Sequence, residues 1–342
     1  MALKVLMVGY AHVHAPGYTE QLLKRQAEAG DVKLLGILDE NEERGRYYAN
    51  KYNLRFFRSV SEALEEKPDA FIINSETVKH SAYVKLAAED NIHVFCEKPI
   101  GVNLKDALDI GAVVKRRGIK FTTGFNARFN PENIKAREIV SSGELGKINV
   151  VRVRVAHSAA IDKWFKGWSE WFTVEEMAGG GGFLDLCIHG ADLLRYILKD
   201  EAVEATGFIN NFTSNYNIDD QGIGLIKFSS GALGILDGGW TQVVEGISWL
   251  PLEVYGDKGS LIRTPIGLTY YARAQKGWIK PNLERTSRNS LDEFIGAIKD
   301  DKDPPITVDD AIKAQEIIEA VYVSSKRREI IKLPLANNLS SP

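Results

Sequence analysis

Cysteine is scarce in this chain: Cys96 and Cys187 are the only two in 342 residues. Two isolated thiols cannot build a disulfide framework, and the lack of a CxxC pair removes a thiol redox motif and a cysteine metal knuckle. Basic excess is lacking as well, since 43 Lys plus Arg stand against 46 Asp plus Glu for a formal net charge of −3. A nucleic-acid partner needs a positive surface to displace counterions, so none is expected. No apolar run approaches the roughly 18 residues that span a bilayer. The stretch from Met1 to Gly9 has neither the charged region nor the long apolar core of a signal peptide, which predicts a soluble cytoplasmic protein with no membrane partner. Repeats and low-complexity tracts are missing too, and the run Gly179-Gly180-Gly181-Gly182 reads as a single loop.

What is present begins with length, which at roughly 100–200 residues per domain predicts two domains. Through about residue 124, short apolar runs alternate with helical stretches. Strands are expected at 4–8, 33–38, 70–74, 93–96 and 120–123, and helices at 18–29, 42–52, 80–90 and 104–117. Asn103 is the N-cap of the last helix and Gly118 its C-terminal stop. Such alternation specifies a parallel sheet wrapped by crossover helices, a doubly wound α/β fold.

After Pro131 the pattern changes to strands at 147–157, 203–212, 222–228, 233–240, 252–255 and 261–263, as in an open, mainly antiparallel sheet. Helices at 183–198, 291–299 and 308–325 punctuate them, Thr307 and Asp310 forming a capping box for the last. The expected division is 1–124 for a nucleotide-binding domain and 125–342 for a substrate-binding α+β domain. The last helix and tail could pack back on the first.

The first strand ends in Gly9-Tyr10-Ala11-His12-Val13-His14, where a dinucleotide fold carries Gly-x-Gly-x-x-Gly. Gly9 serves the tight turn and Ala11 adds one methyl, but His14 replaces the glycine that packs helix on strand. Asp39, ending the second strand, can accept from both ribose hydroxyls, or simply cap the helix that starts near Asn41. With Glu40, Glu42 and Glu43 beside it, NAD is favoured; Arg44 and Arg46 leave NADP open. The fifth strand ends in Glu97-Lys98-Pro99, and Pro99 biases Lys98 toward an extended, held backbone just beyond the strand end, where ligands of such sheets bind. A desolvated lysine can polarise or protonate a substrate oxygen. Downstream, Asp185 and His189 at i and i+4 share one helix face with Asp192 a turn further, and histidine suits removal of a hydroxyl proton near neutrality.

Glu97-Lys98-Pro99 followed some eighty residues later by Gly-Gly-Gly-x-x-x-Asp-x-x-x-His-x-x-Asp resembles the glucose–fructose oxidoreductase/inositol dehydrogenase/rhizopine catabolism (Gfo/Idh/MocA) family. The likeness runs along most of the chain, through His80, Arg128-Phe129-Asn130-Pro131, Gly143-Glu144-Leu145-Gly146, Gly256-Asp257-Lys258-Gly259 and Ala320-Val321-Tyr322. It implies a Rossmann domain, a larger open-sheet domain used for homodimers or homotetramers, and sugars, polyols or their acids as substrates. By resemblance Lys98 would hydrogen-bond the reacting oxygen, His189 act as acid or base, and Asp185 bind substrate. The cofactor set would be Gly9, Ala11, His12, Val13, Asp39, Ser75, His80, Glu97 and Lys98. The His12/His14 loop departs from the family's glycines.

Other readings compete. Trp164, Trp168 and Trp171 could stack on a sugar ring or simply pack. Arg128, His157 and Asp192 are further candidate substrate contacts, while Cys96 and Cys187 read as small buried hydrophobes. His12-Val13-His14 also matches a metal-hydrolase ligand pair, but the strands stop alternating with helices before a closed barrel could form, so no metal is expected. Within the family's range, a redox glycoside hydrolase using NAD catalytically is the alternative, and a nucleotide-sensing regulator has no use for a matched acid–base set.

Overall fold

The computed structural model describes residues 2–243, 252–284 and 288–335. The chain opens with β1 (Leu3–Val8), α1 (Ala15–Glu28), β2 (Val32–Leu38), α2 (Glu42–Tyr52), β3 (Phe56–Phe57), α3 (Val60–Glu65) and β4 (Ala70–Ile73). It continues through α4 (His80–Glu89), β5 (His93–Cys96), α5 (Leu104–Arg117), β6 (Phe121–Thr123), α6 (Pro131–Ser142), β7 (Ile148–Ala156), α7 (Ala159–Asp162) and α8 (Glu175–Ala178). Then come α9 (Gly182–Leu198), β8 (Ala202–Asn210), β9 (Gln221–Phe228), β10 (Leu233–Gly239), β11 (Leu252–Gly256), β12 (Gly259–Thr264) and β13 (Gly267–Ala272). Helices α10 (Ser290–Lys299) and α11 (Val308–Arg327) and strand β14 (Ile331–Lys332) complete the described elements.

Two compact units result: 1–124 with 165–179 and 289–312, and 125–164 with 180–288 and 313–342. The first holds a six-stranded sheet in the order β3-β2-β1-β4-β5-β6, parallel throughout. Val5 to Val8 and Ala70 to Ile73 are buried on both faces, which is why these strands are continuous apolar runs instead of alternating ones. The strand order reverses between β1 and β4, and ligands of open parallel sheets sit beyond the carboxyl ends at such a reversal. Asn41, Ser59 and Asn103 cap α2, α3 and α5 through side chains that accept from backbone N–H groups. Helix α1 starts three residues ahead of expectation because Pro16 in its first turn is preset for helix.

Two later segments join this unit. Phe294 of α10 packs on Phe95 at 6.2 Å between ring centroids, and Arg25 pairs with Asp292 at 2.9 Å. In 165–179, Trp168 lies against Tyr47 and Tyr48, 5.3 and 5.8 Å away, and the Trp171 indole N–H donates to the Ala11 carbonyl over 3.1 Å.

The second unit is an eight-stranded sheet ordered β13-β12-β11-β7-β10-β9-β8-β14. Neighbours run antiparallel except β7 and β10, which are parallel because the chain leaves β7 and crosses through α9 before the β8-β9-β10 meander. Val151, Val153, Val155 and Leu236 form the buried face under α9. Helix α11 brings Val321 over Gly207 and Gly224, where the missing side chains let it approach. Strand β8 stops at Asn210, short of the expected 212, because Phe212 and Thr213 turn back to donate to the Asp220 carboxylate.

Candidate functional site

In the first unit the loop after β1 is held at both neighbouring strand ends. Gly9 donates to the Leu38 carbonyl at 2.7 Å and His12 to the Asn74 carbonyl at 2.9 Å. Gly9 has φ +77°, and a Cβ there would stand 2.7 Å from the Ser75 backbone, so only glycine lets the turn lie against that strand end. Ala11 and His12 are buried and Val13 is exposed. The following helix starts at Ala15, its N-terminus offering the partial positive charge that suits a pyrophosphate.

Asp39 stands just past β2, where four donors converge on its carboxylate: Tyr10 N–H, Asn41 N–H, Arg44 Nε and Arg44 Nη2, each at 2.8 Å. Asn41, and not Asp39, is the cap of α2. Arg44 is itself buried and reaches Glu76 at 3.2 Å, while Arg46 pairs with Glu42 on the same helix. Both arginines that could have met a 2′-phosphate are thus engaged by acids.

At the end of β5, Glu97 is wholly buried. Its Oε1 accepts from the Tyr18 hydroxyl at 2.6 Å and faces His14 Nδ1 at 3.0 Å, and its Oε2 accepts from the Lys98 backbone N–H at 2.8 Å. Burial alone would raise its pKa, but the neighbouring His12 and His14 hold the carboxyl well below the usual range. Lys98 itself is 3% exposed. His80 has no exposed surface, and its ring lies between the Pro99 carbonyl (3.0 Å) and the Ser75 carbonyl (3.2 Å), stapling the two loops. Burial lowers its pKa, against the two carbonyls, which favour the charged ring.

In the second unit the glycine run starts α9. A Cβ on Gly181 would collide with the Asp219 carbonyl, and the Asp219 carboxylate accepts from Gly181 N–H at 2.8 Å and Phe183 N–H at 2.9 Å. The Tyr322 hydroxyl donates to the same carboxylate at 2.8 Å. Asp219 therefore satisfies the open N–H groups that a glycine start leaves, and burial pushes its own pKa up. One turn in, Asp185 accepts from the Trp240 indole N–H at 2.9 Å. His189 follows on the same face with the Phe125 ring edge-on at 6.0 Å.

Asp192 has no exposed surface, and its carboxylate accepts from Arg128, whose Nε lies 2.9 Å away. Arg128 is thereby committed as well. His157 stacks on the half-exposed Trp164 at 4.7 Å. Trp168 lies against Tyr47 and Tyr48 in the first unit, so its packing partners belong to the nucleotide half. Asp219, Trp240 and Tyr18, and the partner of Tyr322, are not legible in the sequence because the paired groups lie dozens of residues apart, and no spacing announces them.

Two family models match. Residues 3–125 match the model described as "Oxidoreductase family, NAD-binding Rossmann fold", and 133–262 match the GFO/IDH/MocA C-terminal domain. The chain belongs to the GFO/IDH/MocA oxidoreductase family. Among curated relatives, myo-inositol 2-dehydrogenase of Thermotoga maritima is 29% identical over 89% of this chain and 92% of its own length. D-glucoside 3-dehydrogenase of Escherichia coli is 23% identical over 97% of each chain. A levoglucosan dehydrogenase structure, solved with NADH and levoglucosan, shares the fold at TM-score 0.84 and 17% identity, covering 98% of this chain and all of the other. Family membership makes this an oxidoreductase with an NAD-binding Rossmann fold, and the Gly9 turn and the α1 N-terminus fit that cofactor. No helix among the described residues is long and apolar enough to cross a membrane.

Proposed function

We propose that this oxidoreductase interconverts a secondary alcohol and a ketone on a sugar, inositol or related polyhydroxy compound, with NAD preferred to NADP. The observation that carries the reading is the presence in one chain of Glu97-Lys98-Pro99 at the end of β5 and of Asp185 and His189 a turn apart on α9. Relatives named as inositol and glucoside dehydrogenases support the substrate class. The Asp39–Arg44–Glu76 chain supports NAD, because a 2′-phosphate there would meet carboxylates whose arginine is already engaged.

When bound, the nicotinamide ring supplies the hydride acceptor. Lys98 donates a hydrogen bond to the alcohol oxygen and so favours the developing alkoxide. His189 takes the hydroxyl proton on a ring nitrogen, and Asp185 orients the substrate or the imidazole. Gly9, Ala11, His12, Val13, Asp39 and Ser75 line the cofactor's loop and strand ends, and Glu97 and His80 act through the backbone on either side of Lys98. Trp164 with His157 is the candidate sugar-facing pair. The test is absorbance at the reduced-nicotinamide band while NAD or NADP and a panel of sugars, inositols and aryl glycosides are added. Net cofactor reduction with a polyol sustains the reading; aglycone release without net reduction would replace it with redox glycoside hydrolysis.

The same protein assembles as a homo-oligomer through the face of the eight-stranded sheet opposite α9. There Ile223, Leu225 and Lys227 of β9 stand beside Phe208, Thr206 and Glu204 of β8, and beside Asp237, Ile235 and Leu233 of β10. Phe208, Ile223, Leu225 and Leu233 are exposed, an apolar patch flanked by charges of both signs, as a surface that meets its own copy requires. Light scattering on Leu225→Glu against the parent chain tests it: a smaller mass supports the interface, and an unchanged mass rejects it.

A further inference from the structure

We propose that His12, His14 and Glu97 form a binding site for one divalent transition cation of the zinc class at the loop after β1. Each offers a ligand atom, and the three atoms lie within 4.8 Å of one another. Glu97 Oε1 is 3.0 Å from His14 Nδ1, Glu97 Oε2 is 3.9 Å from His12 Nε2, and the two imidazole rings are 4.5 Å apart between centroids. Around a tetrahedral zinc at about 2.0–2.2 Å, neighbouring ligand atoms sit roughly 3.3 Å apart, so the 3.0 Å contact already matches that spacing, and the wider separations, none above 4.8 Å, close by about 0.6 to 1.5 Å through side-chain rotation.

The surroundings are those of a built site. Glu97, without exposed surface, is fixed from behind by the Tyr18 hydroxyl at 2.6 Å and the Lys98 N–H at 2.8 Å, the kind of outer partners that orient a ligating carboxylate. Trp171 and Phe172 wall the His12 ring at 6.2 and 5.2 Å, supplying an apolar shell. His14, with 42% of its side chain exposed, provides the entry path. Ligation through His12 Nε2 places the ring's proton on Nδ1, which gives up the contact from His14 N–H; at 3.2 Å that contact is a weak one.

Two imidazoles and one carboxylate leave the ion an open position, and zinc, cobalt, nickel or ferrous ions suit such a donor set better than magnesium or calcium. The ion would place fixed positive charge in a loop where Ala11 stands in place of the glycine that lets the backbone approach a phosphate.

The test is metal binding itself, independent of turnover. Full-length protein is stripped with chelator, dialysed and titrated with Co²⁺, the readout being visible d–d absorption, with Zn²⁺ competition and thermal melting alongside. One Co²⁺ per chain, displaced by Zn²⁺, is expected, with affinity at least ~100-fold weaker in His14→Ala and His12→Ala and unchanged in His93→Asn. Zn²⁺ should raise the melting temperature of the parent chain and not of His14→Ala, whose exposed position spares the fold. No stoichiometric cobalt spectrum, or one that survives both histidine substitutions, overturns the proposal and leaves the three residues as a hydrogen-bonded cluster.

Discussion

The indole N–H of Trp240 donates to the Asp185 carboxylate over 2.9 Å, tying the end of β10 to the first turn of α9. Trp240 has no exposed surface, so the bond sits in a low dielectric where a lost donor is not replaced by water. Trp240→Phe keeps most of the packing and removes only the donor. The account expects kcat to fall about tenfold, which corresponds to roughly 1.4 kcal/mol, with the cofactor's affinity unchanged. Steady-state kinetics beside cofactor titration checks it; a lower melting temperature with intact kcat would mean that Trp240 serves packing alone.

Arg128 and Asp192 form a buried ion pair, and removing one member leaves the other charge stranded. Asp192→Leu or Arg128→Met should each cost about 3–5 kcal/mol of stability, and the double replacement Arg128→Met with Asp192→Leu should recover much of it. Urea unfolding of the four proteins measures the coupling. Additive losses would dissolve the pair.

Cofactor choice is predicted to follow Asp39. Asp39→Ser releases Arg44 from its strongest acid and removes the charge that a 2′-phosphate would meet. The ratio of kcat/KM for NADP to that for NAD should rise by about tenfold or more, as expected when one repulsive charge becomes an accessible cation. Initial rates with both cofactors decide, and an unmoved ratio would place selectivity elsewhere.

His80 gives stability a pH dependence of definite sign. Its folded-state pKa is depressed from 6.5, with burial as the first cause, so the fold holds the neutral ring. That contribution is fully present above the unfolded value and is lost as pH falls through 6.5 toward the lower folded value. Melting temperature should therefore decline below that point in the parent chain and decline less in His80→Gln. Parallel curves would remove His80 as the source.

Much of the first unit was legible because β1, β4 and β5 are buried on both faces and read as unbroken apolar runs between helices with side-chain caps. Strand β3, two residues long, carries no periodicity, and the 165–179 segment joins this unit through aromatic contacts that no local pattern encodes. In the second unit, alternation along β9 exposes Ile223 and Leu225 while burying Ile226 and Phe228, so the strand was legible from its period-two pattern. Around the site, motif spacing picked out Lys98, Asp185 and His189. It did not show that Glu97, His80 and Asp192 are buried against protein partners, because a polar side chain at a strand end or on a helix face reads the same in sequence whether it meets a ligand or a buried partner. Burial and pairing distinguish them.

The most direct test of the central claim is single-turnover hydride transfer in Lys98→Ala and His189→Ala, followed by stopped-flow absorbance, with NADH binding measured on the same samples. The account predicts cofactor affinity near that of the parent chain and a transfer rate lower by about a hundredfold or more in each, since these groups act on the transition state. A transfer rate equal to the parent's in either variant, with cofactor bound, would contradict it.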